Sequence, residues 1–185
     1  PSTFAATDSK VRLVMDRVAQ RAPGALPGIR ARLLAETVVC CLSTSRIHPL
    51  LWAHYGDRHK GICLEFTPVG PDSIFHTAER VSYRPRLPVT SLLDRDHANT
   101  GRLVALSKAL QWRYEREWRI VQSDEPPGPR RYARRELTGV VLGCRASEAH
   151  VVMVSRWLRK RAAVRLAQAR ASEDRYTLSV VTLRP

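Results

Sequence analysis

Leu51-Trp52-Ala53-His54-Tyr55-Gly56-Asp57-Arg58-His59-Lys60-Gly61-Ile62-Cys63-Leu64-Glu65-Phe66 decides how the chain folds. Trp52 and Tyr55 stand three residues apart, one face of a helical turn. A short helix is predicted from His48 to Tyr55, ended at Gly56, and a strand from Lys60 to Phe66. The same handover recurs later, where a helix over 101–114 is predicted to lead into a strand from Glu115 to Val121. Helix and strand adjoining through short turns imply an α+β fold, a mixed, largely antiparallel sheet with helices packed against it.

Outward from this stretch the pattern continues. Val11, Val14, Met15 and Val18 give an amphipathic helix over 9–22, and Leu26, Ile29, Leu33 and Leu34 a second over 26–36. Thr37 to Leu42 is a continuous apolar run and reads as a buried strand. A turn is expected at Pro68 to Pro71 and a strand over 79–84. Loops are expected over 85–99, with room for one helical turn, and at Asp124-Glu125-Pro126-Pro127-Gly128-Pro129. Leu137 to Leu142 reads as a strand. Ser147 is placed as the N-cap of a helix whose far end carries Arg156, Arg159, Lys160 and Arg161, the charge that suits a helix C-terminus. Strands at Val164 to Leu166 and Tyr176 to Leu183 complete the chain.

The 185 residues fit one domain, 1–185, large enough to bury a core. No apolar run approaches the roughly 18–20 residues that span a bilayer. The N-terminus lacks the basic and apolar regions of a signal peptide. The cysteines Cys40, Cys41, Cys63 and Cys144 show neither zinc nor disulfide spacing, and read as buried free thiols in a reducing cytoplasm. The formal charge of +14 points to polyanions such as nucleic acid or phosphorylated ligands. The excess is nearly all arginine spread along the chain, which a GC-rich genome also produces.

Two segments concentrate chemistry: Cys41 to Phe66, and Lys108 to Ile120. Their Trp, His and paired carboxylates are costly to bury without partners, which implies one shared site. In the first, Trp52 is either core or a ligand platform. His54, Tyr55, His59 and Lys60 either face an anionic or aromatic ligand or are solvated loop. In the second, an extended strand puts Glu115, Glu117 and Arg119 on one face and Trp118 and Ile120 on the core face. The charged row is either an exposed ladder or the wall of a cleft entered from Lys108, Trp112 and Tyr114. In a cleft, Arg119 would hold a carboxylate ionised. A metal site from His54, His59 and a cysteine is disfavoured, because the histidines lack helical ligand spacing. No GxGxxG, Walker or GxSxG loop occurs.

Cys41-x-Ser43 followed by Leu51-Trp52-x-His54-Tyr55-Gly56-x-x-His59-x-Gly61, and later Val81-x-Tyr83, Lys108, Tyr114-Glu115-x-Glu117-Trp118-Arg119 and Val140-Val141-Leu142-Gly143-x-Arg145, resembles a bacterial family, the domain of unknown function 2971. Leu42 and Leu51 replace its usual Phe and Met. The resemblance covers about 37–183. Members usually begin with a segment not found here, so an N-terminally truncated copy is expected, and the family brings no settled activity.

An analogy of pattern suggests an ADP-ribosyltransferase-like site with NAD as substrate. Ser43 or Tyr55 would cradle nicotinamide and Glu117, or Glu115, would hold the ribose; His54 is a further catalytic candidate. Trp52, His59, Lys60, Lys108 and Arg119 are candidate ligand contacts. The alternative is a basic nucleic-acid-binding module without catalysis, resting on charge, arginine-rich segments and interleaved aromatics. The expected partners are therefore a nucleotide or nucleic acid, with no membrane and no metal.

Overall fold

Strand β7 (Leu137–Leu142) lies inside a four-stranded sheet of order β2-β7-β8-β9, with β2 Ile62–Phe66, β8 Arg165–Ala171 and β9 Leu178–Arg184. The computed structural model describes residues 37–88, 97–122 and 128–184. β2 pairs antiparallel with β7, β7 parallel with β8, and β8 antiparallel with β9. A strand with a neighbour on each edge and both faces covered needs an apolar run rather than alternation. Leu137-Thr138-Gly139-Val140-Val141-Leu142 supplies it, and forms over the range the sequence predicts.

Each face of the sheet has its own cover. Val140 and Leu142 of β7 and Leu166 of β8 pack with Val154 and Leu158, which come from helix α3 (Glu148–Trp157) and the 3-10 turn after it. Val141, Ala167 and Ala169 face the other way, onto Trp52 of helix α1 (Pro49–Tyr55). The valines and leucines among them each contribute roughly 1.5–3 kcal/mol by leaving water. Ser147 caps α3 as expected, accepting the His150 N–H at 3.3 Å.

α1 starts on Pro49, whose fixed φ suits a first helical turn, and stops at Gly56. Asp57, Arg58 and His59 then adopt left-handed φ values of 44°, 53° and 70°. This reversal folds the chain back so that the His59 carbonyl accepts from Arg145 and the Gly61 carbonyl from Gly143, each at 2.9 Å. Gly143 is needed there, since a Cβ would run into the His59 carbonyl oxygen.

A three-stranded sheet has the order β1-β6-β3, with β1 Val38–Ser43, β6 Glu117–Gln122 and β3 Glu79–Arg80. β4 (Ser82–Arg84) pairs parallel with β5 (Ser107–Ala109). Helix α2 covers His97–Ala105 and buries Val104 and Ala105. The chain groups into two compact units: α2 belongs to residues 1–38, 88–105 and 122–127, and the second unit comprises 39–87, 106–121 and 128–185.

Helices and mixed, largely antiparallel sheets make the α+β fold that the sequence implies. Several local expectations are corrected. β1 is not buried: Val39, Cys40 and Cys41 are exposed, because β1 is the edge of its sheet. The thiols are free as expected, but Cys63 and Cys144 are only half-buried. The single strand over 79–84 is split between two sheets at Val81. The helix over 101–114 ends at Ala105, since Ser107-Lys108-Ala109 pairs with β4 and pairing overrides helical propensity. Residues 110–115 then form a 3-10 helix, so β6 begins at Glu117 rather than Glu115. Trp118 is 37% exposed rather than core, because its face of β6 opens on a hollow instead of packing into either apolar cluster. Ile120 is buried as expected. β8 runs on to Ala171, well past Leu166. The helices over 9–22 and 26–36 lie outside the described residues, as does part of each expected loop. No helix among the described residues is long and apolar enough to cross a membrane.

Candidate functional site

The 3-10 helix of Leu110–Glu115 ends on Arg116, which is left-handed at φ 48° and ψ 47°. That one residue reverses the chain between Glu115 and Glu117, so both carboxylates meet a single ammonium. Lys108 Nζ donates to Glu115 Oε2 in a close ion pair and to Glu117 Oε2 at 3.1 Å. Glu115 and Glu117 are 3% and 5% exposed. Unpaired carboxylates buried to this degree would be strongly unfavourable, so the lysine is part of what lets the chain fold here.

Glu117 is held further by Arg119 one strand pleat away. Arg119 Nε donates to Oε1 at 2.8 Å and an Nη to Oε2 at 2.9 Å, a two-pronged grip. Burial opposes ionisation of Glu117, but the hydrogen bonds from Arg119, Cys41 and Lys108 outweigh it and hold its pKa below the usual carboxylate range. The Glu117 N–H donates to the Tyr83 hydroxyl at 2.8 Å, fixing the start of β6.

Glu115 accepts the Tyr55 hydroxyl on Oε1 at 3.0 Å. Partial burial and this bond raise the Tyr55 pKa, so the phenol stays protonated. Ser43 Oγ donates to the Glu115 carbonyl at 2.7 Å and accepts the Ser45 N–H at 3.0 Å, tying the end of β1 to the 3-10 helix. Lys108 also lies 5.1 Å from the Trp112 ring centre.

These groups open on a cleft of about 440 Å³. Ser43, Trp52, Tyr55, Lys108, Glu115, Glu117 and Arg119, all singled out in the sequence, line it, with Cys41, Cys63 and apolar neighbours. Trp52 is also core, 4% exposed, with its indole N–H on the Arg46 carbonyl at 2.9 Å. The thiol of Cys41 is pushed up to about 11, first by desolvation in the cleft wall and then by the Glu117 carboxylate. It is a thiol, not a thiolate, at neutral pH.

Three candidates fall elsewhere. His54 is exposed and sits edge-on to Trp112 at 5.7 Å, outside the cleft lining. His59 ends the left-handed turn, with Nδ1 3.7 Å from Cys144 Sγ. Lys60 follows it, exposed. Neither lines the cleft; the helix-to-strand turn that carries them is anchored to the residues just after β7. Among the described residues no group of three or more His, Cys, Asp or Glu could hold a metal ion.

Sequence reasoning passed over Arg46, Glu65 and Arg165. Glu65 Oε1 accepts from Arg46 at 2.6 Å and its Oε2 from Arg165 at 2.5 Å. The signal was available: a lone carboxylate between Leu64 and Phe66 in an apolar strand needs a partner.

Residues 51–120 match a family model described as "Protein of unknown function (DUF2971)". The matched span runs from α1 to the middle of β6 and contains Trp52, Tyr55, Lys108, Glu115, Glu117 and Arg119. Nothing among the curated proteins or the solved structures matches the chain.

Proposed function

We propose, for a chain whose residues 51–120 match the DUF2971 family model, that the cleft binds NAD and that Glu117 serves transfer of its ADP-ribosyl group. The observation that carries this reading is the Glu117 carboxylate: buried, held ionised, and set in a cleft wall by Arg119 and Lys108. A fixed negative charge stabilises the positive charge that develops on a ribosyl ring as its glycosidic bond breaks.

In the proposed step the bond between ribose C1′ and the nicotinamide ring nitrogen breaks. Its electron pair leaves with nicotinamide. Water, or a hydroxyl or amine of an acceptor, forms the new bond at C1′ and releases a proton to solvent. Glu117 faces the developing cation. Tyr55, which is exposed, supplies aromatic surface for the nicotinamide ring, and the buried Trp52 backs the cleft wall. Lys108 and Ser43 act through others: Lys108 neutralises the carboxylate pair and Ser43 fixes Glu115. Glu115 positions the Tyr55 hydroxyl.

The test is a calorimetric titration of NAD into the whole chain at low salt, repeated with Leu51→Trp, which fills the cleft. Saturable binding lost in the variant supports the reading; no binding to the wild-type chain sinks it. The alternative, a nucleic-acid-binding module, draws on net charge, arginine-rich segments and interleaved aromatics, and predicts binding to oligonucleotides that falls steeply with salt.

A further inference from the structure

The cleft does not end at its polar wall. A second hollow of about 600 Å³ shares the strip Cys41 to Ser43, Ser45, Arg46 and Cys63 with it, and continues along β2. Its character differs. Trp118 lines it, while Glu117 and Arg119, the adjoining residues of the strand, line the first cleft. Phe66 and Phe75 form a stacked pair at its far side, with ring centres 4.7 Å apart.

Charge separates the two hollows as well. In the first, Lys108 and Arg119 balance Glu115 and Glu117. At the junction, Arg46 and Arg165 share the one carboxylate of Glu65, which leaves a positive charge over. Arg46 has 46% of its side chain exposed and borders both hollows. An anionic group therefore finds its counter-charge between the hollows and not at the Glu117 end.

We propose that the second hollow is the site for the adenosine half of a dinucleotide, with Trp118 as the stacking surface for the base and Arg46 as the contact for the diphosphate. This rests on the reading of the first cleft as the nicotinamide-ribose site. An exposed indole on the central strand of its sheet, a stacked aromatic pair beyond it and a guanidinium bordering both hollows suit a flat base and the diphosphate that joins it to the rest of the dinucleotide. Stacking of a base on such a ring is worth about tenfold or more in affinity.

The experiment is titration of the whole chain with ADP, adenosine and inorganic pyrophosphate, compared with Trp118→Leu, Trp118→Phe and Arg46→Gln, each checked for an unchanged thermal midpoint. ADP is expected to bind more tightly than pyrophosphate. Trp118→Leu should weaken ADP about tenfold, and Trp118→Phe should retain most of the affinity. Arg46→Gln should weaken ADP but not adenosine. ADP affinity within twofold of wild type in Trp118→Leu, no ADP binding, or pyrophosphate binding as tightly as ADP overturns the proposal. If these losses occur while NAD is not consumed, the transfer reading falls and the adenosine site stands. If NAD is consumed but Trp118→Leu leaves ADP affinity unchanged, the adenosine site falls and the transfer reading stands.

Discussion

Glu65 stands directly across from Gly139 in the β2–β7 ladder, and its carboxylate lies where a side chain on Gly139 would be. The bare backbone of β7 is what lets the carboxylate reach Arg165 on β8 while it keeps Arg46. One glycine thus sets the position of a charge group that neither strand could arrange alone.

Gly139→Ala is expected to push Glu65 off β7 and to destabilise the chain by about 1–3 kcal/mol, the usual range for overpacking. Urea denaturation checks this. Gly139→Ala combined with Glu65→Ala should recover part of the loss, because the obstructing carboxylate is then gone.

Lys108→Met leaves Glu115 and Glu117 buried side by side with one cation between them. The expected cost at pH 7 is about 3 kcal/mol, as for a broken buried ion pair. Acidification to pH 5 should return part of it, since repulsion between the carboxylates favours protonating one of them. A cost that is the same at both pH values would show that Lys108 does not serve the pair.

How much of this was legible in the sequence follows physical lines. β7 was legible because a doubly covered strand is written as an apolar run, and α3 because Ser147 and the trailing arginines mark both ends. Glu115, Glu117 and Arg119 were legible as neighbours, but through the wrong geometry. Strand alternation gives the same grouping that the left-handed Arg116 produces, and nothing in the residue type arginine announces φ 48°. β5 was missed because its three residues form a strand only through pairing with β4, a long-range partner. Which of the two alternatives holds for His59 and Lys60 was not legible for a related reason: their turn is anchored to Arg145 and Gly143, far along the chain.

The pH dependence follows from the depressed carboxylates. Burial opposes ionisation at Glu117 and at Glu65, and arginine hydrogen bonds overcome it at both, so each folded pKa lies below its unfolded value near 4.3. Their contribution is fully present above the unfolded pKa and is lost as pH falls through the folded values. Urea midpoints measured from pH 7 down to pH 3 should hold steady and then drop below about pH 4.3. Glu65→Gln should flatten that acid limb.

Cys41 is exposed yet sluggish. With its pKa at about 11, roughly one thiol in a thousand is ionised at pH 8. Peptide mapping after brief iodoacetamide treatment at pH 8 should find Cys40 modified ahead of Cys41. Glu117→Gln removes the carboxylate that helps raise that pKa and should speed alkylation of Cys41. Equal rates in wild type and variant would break the link between the thiol and Glu117.

The most direct test of the central claim is release of nicotinamide from NAD by the wild-type chain and by Glu117→Gln, with NAD affinity measured alongside. The account predicts release by the wild type, and a loss of at least about a hundredfold in the variant while NAD still binds within a few-fold, as for a charge that acts on the transition state. Unchanged release in Glu117→Gln, or no release by the wild type, would contradict it.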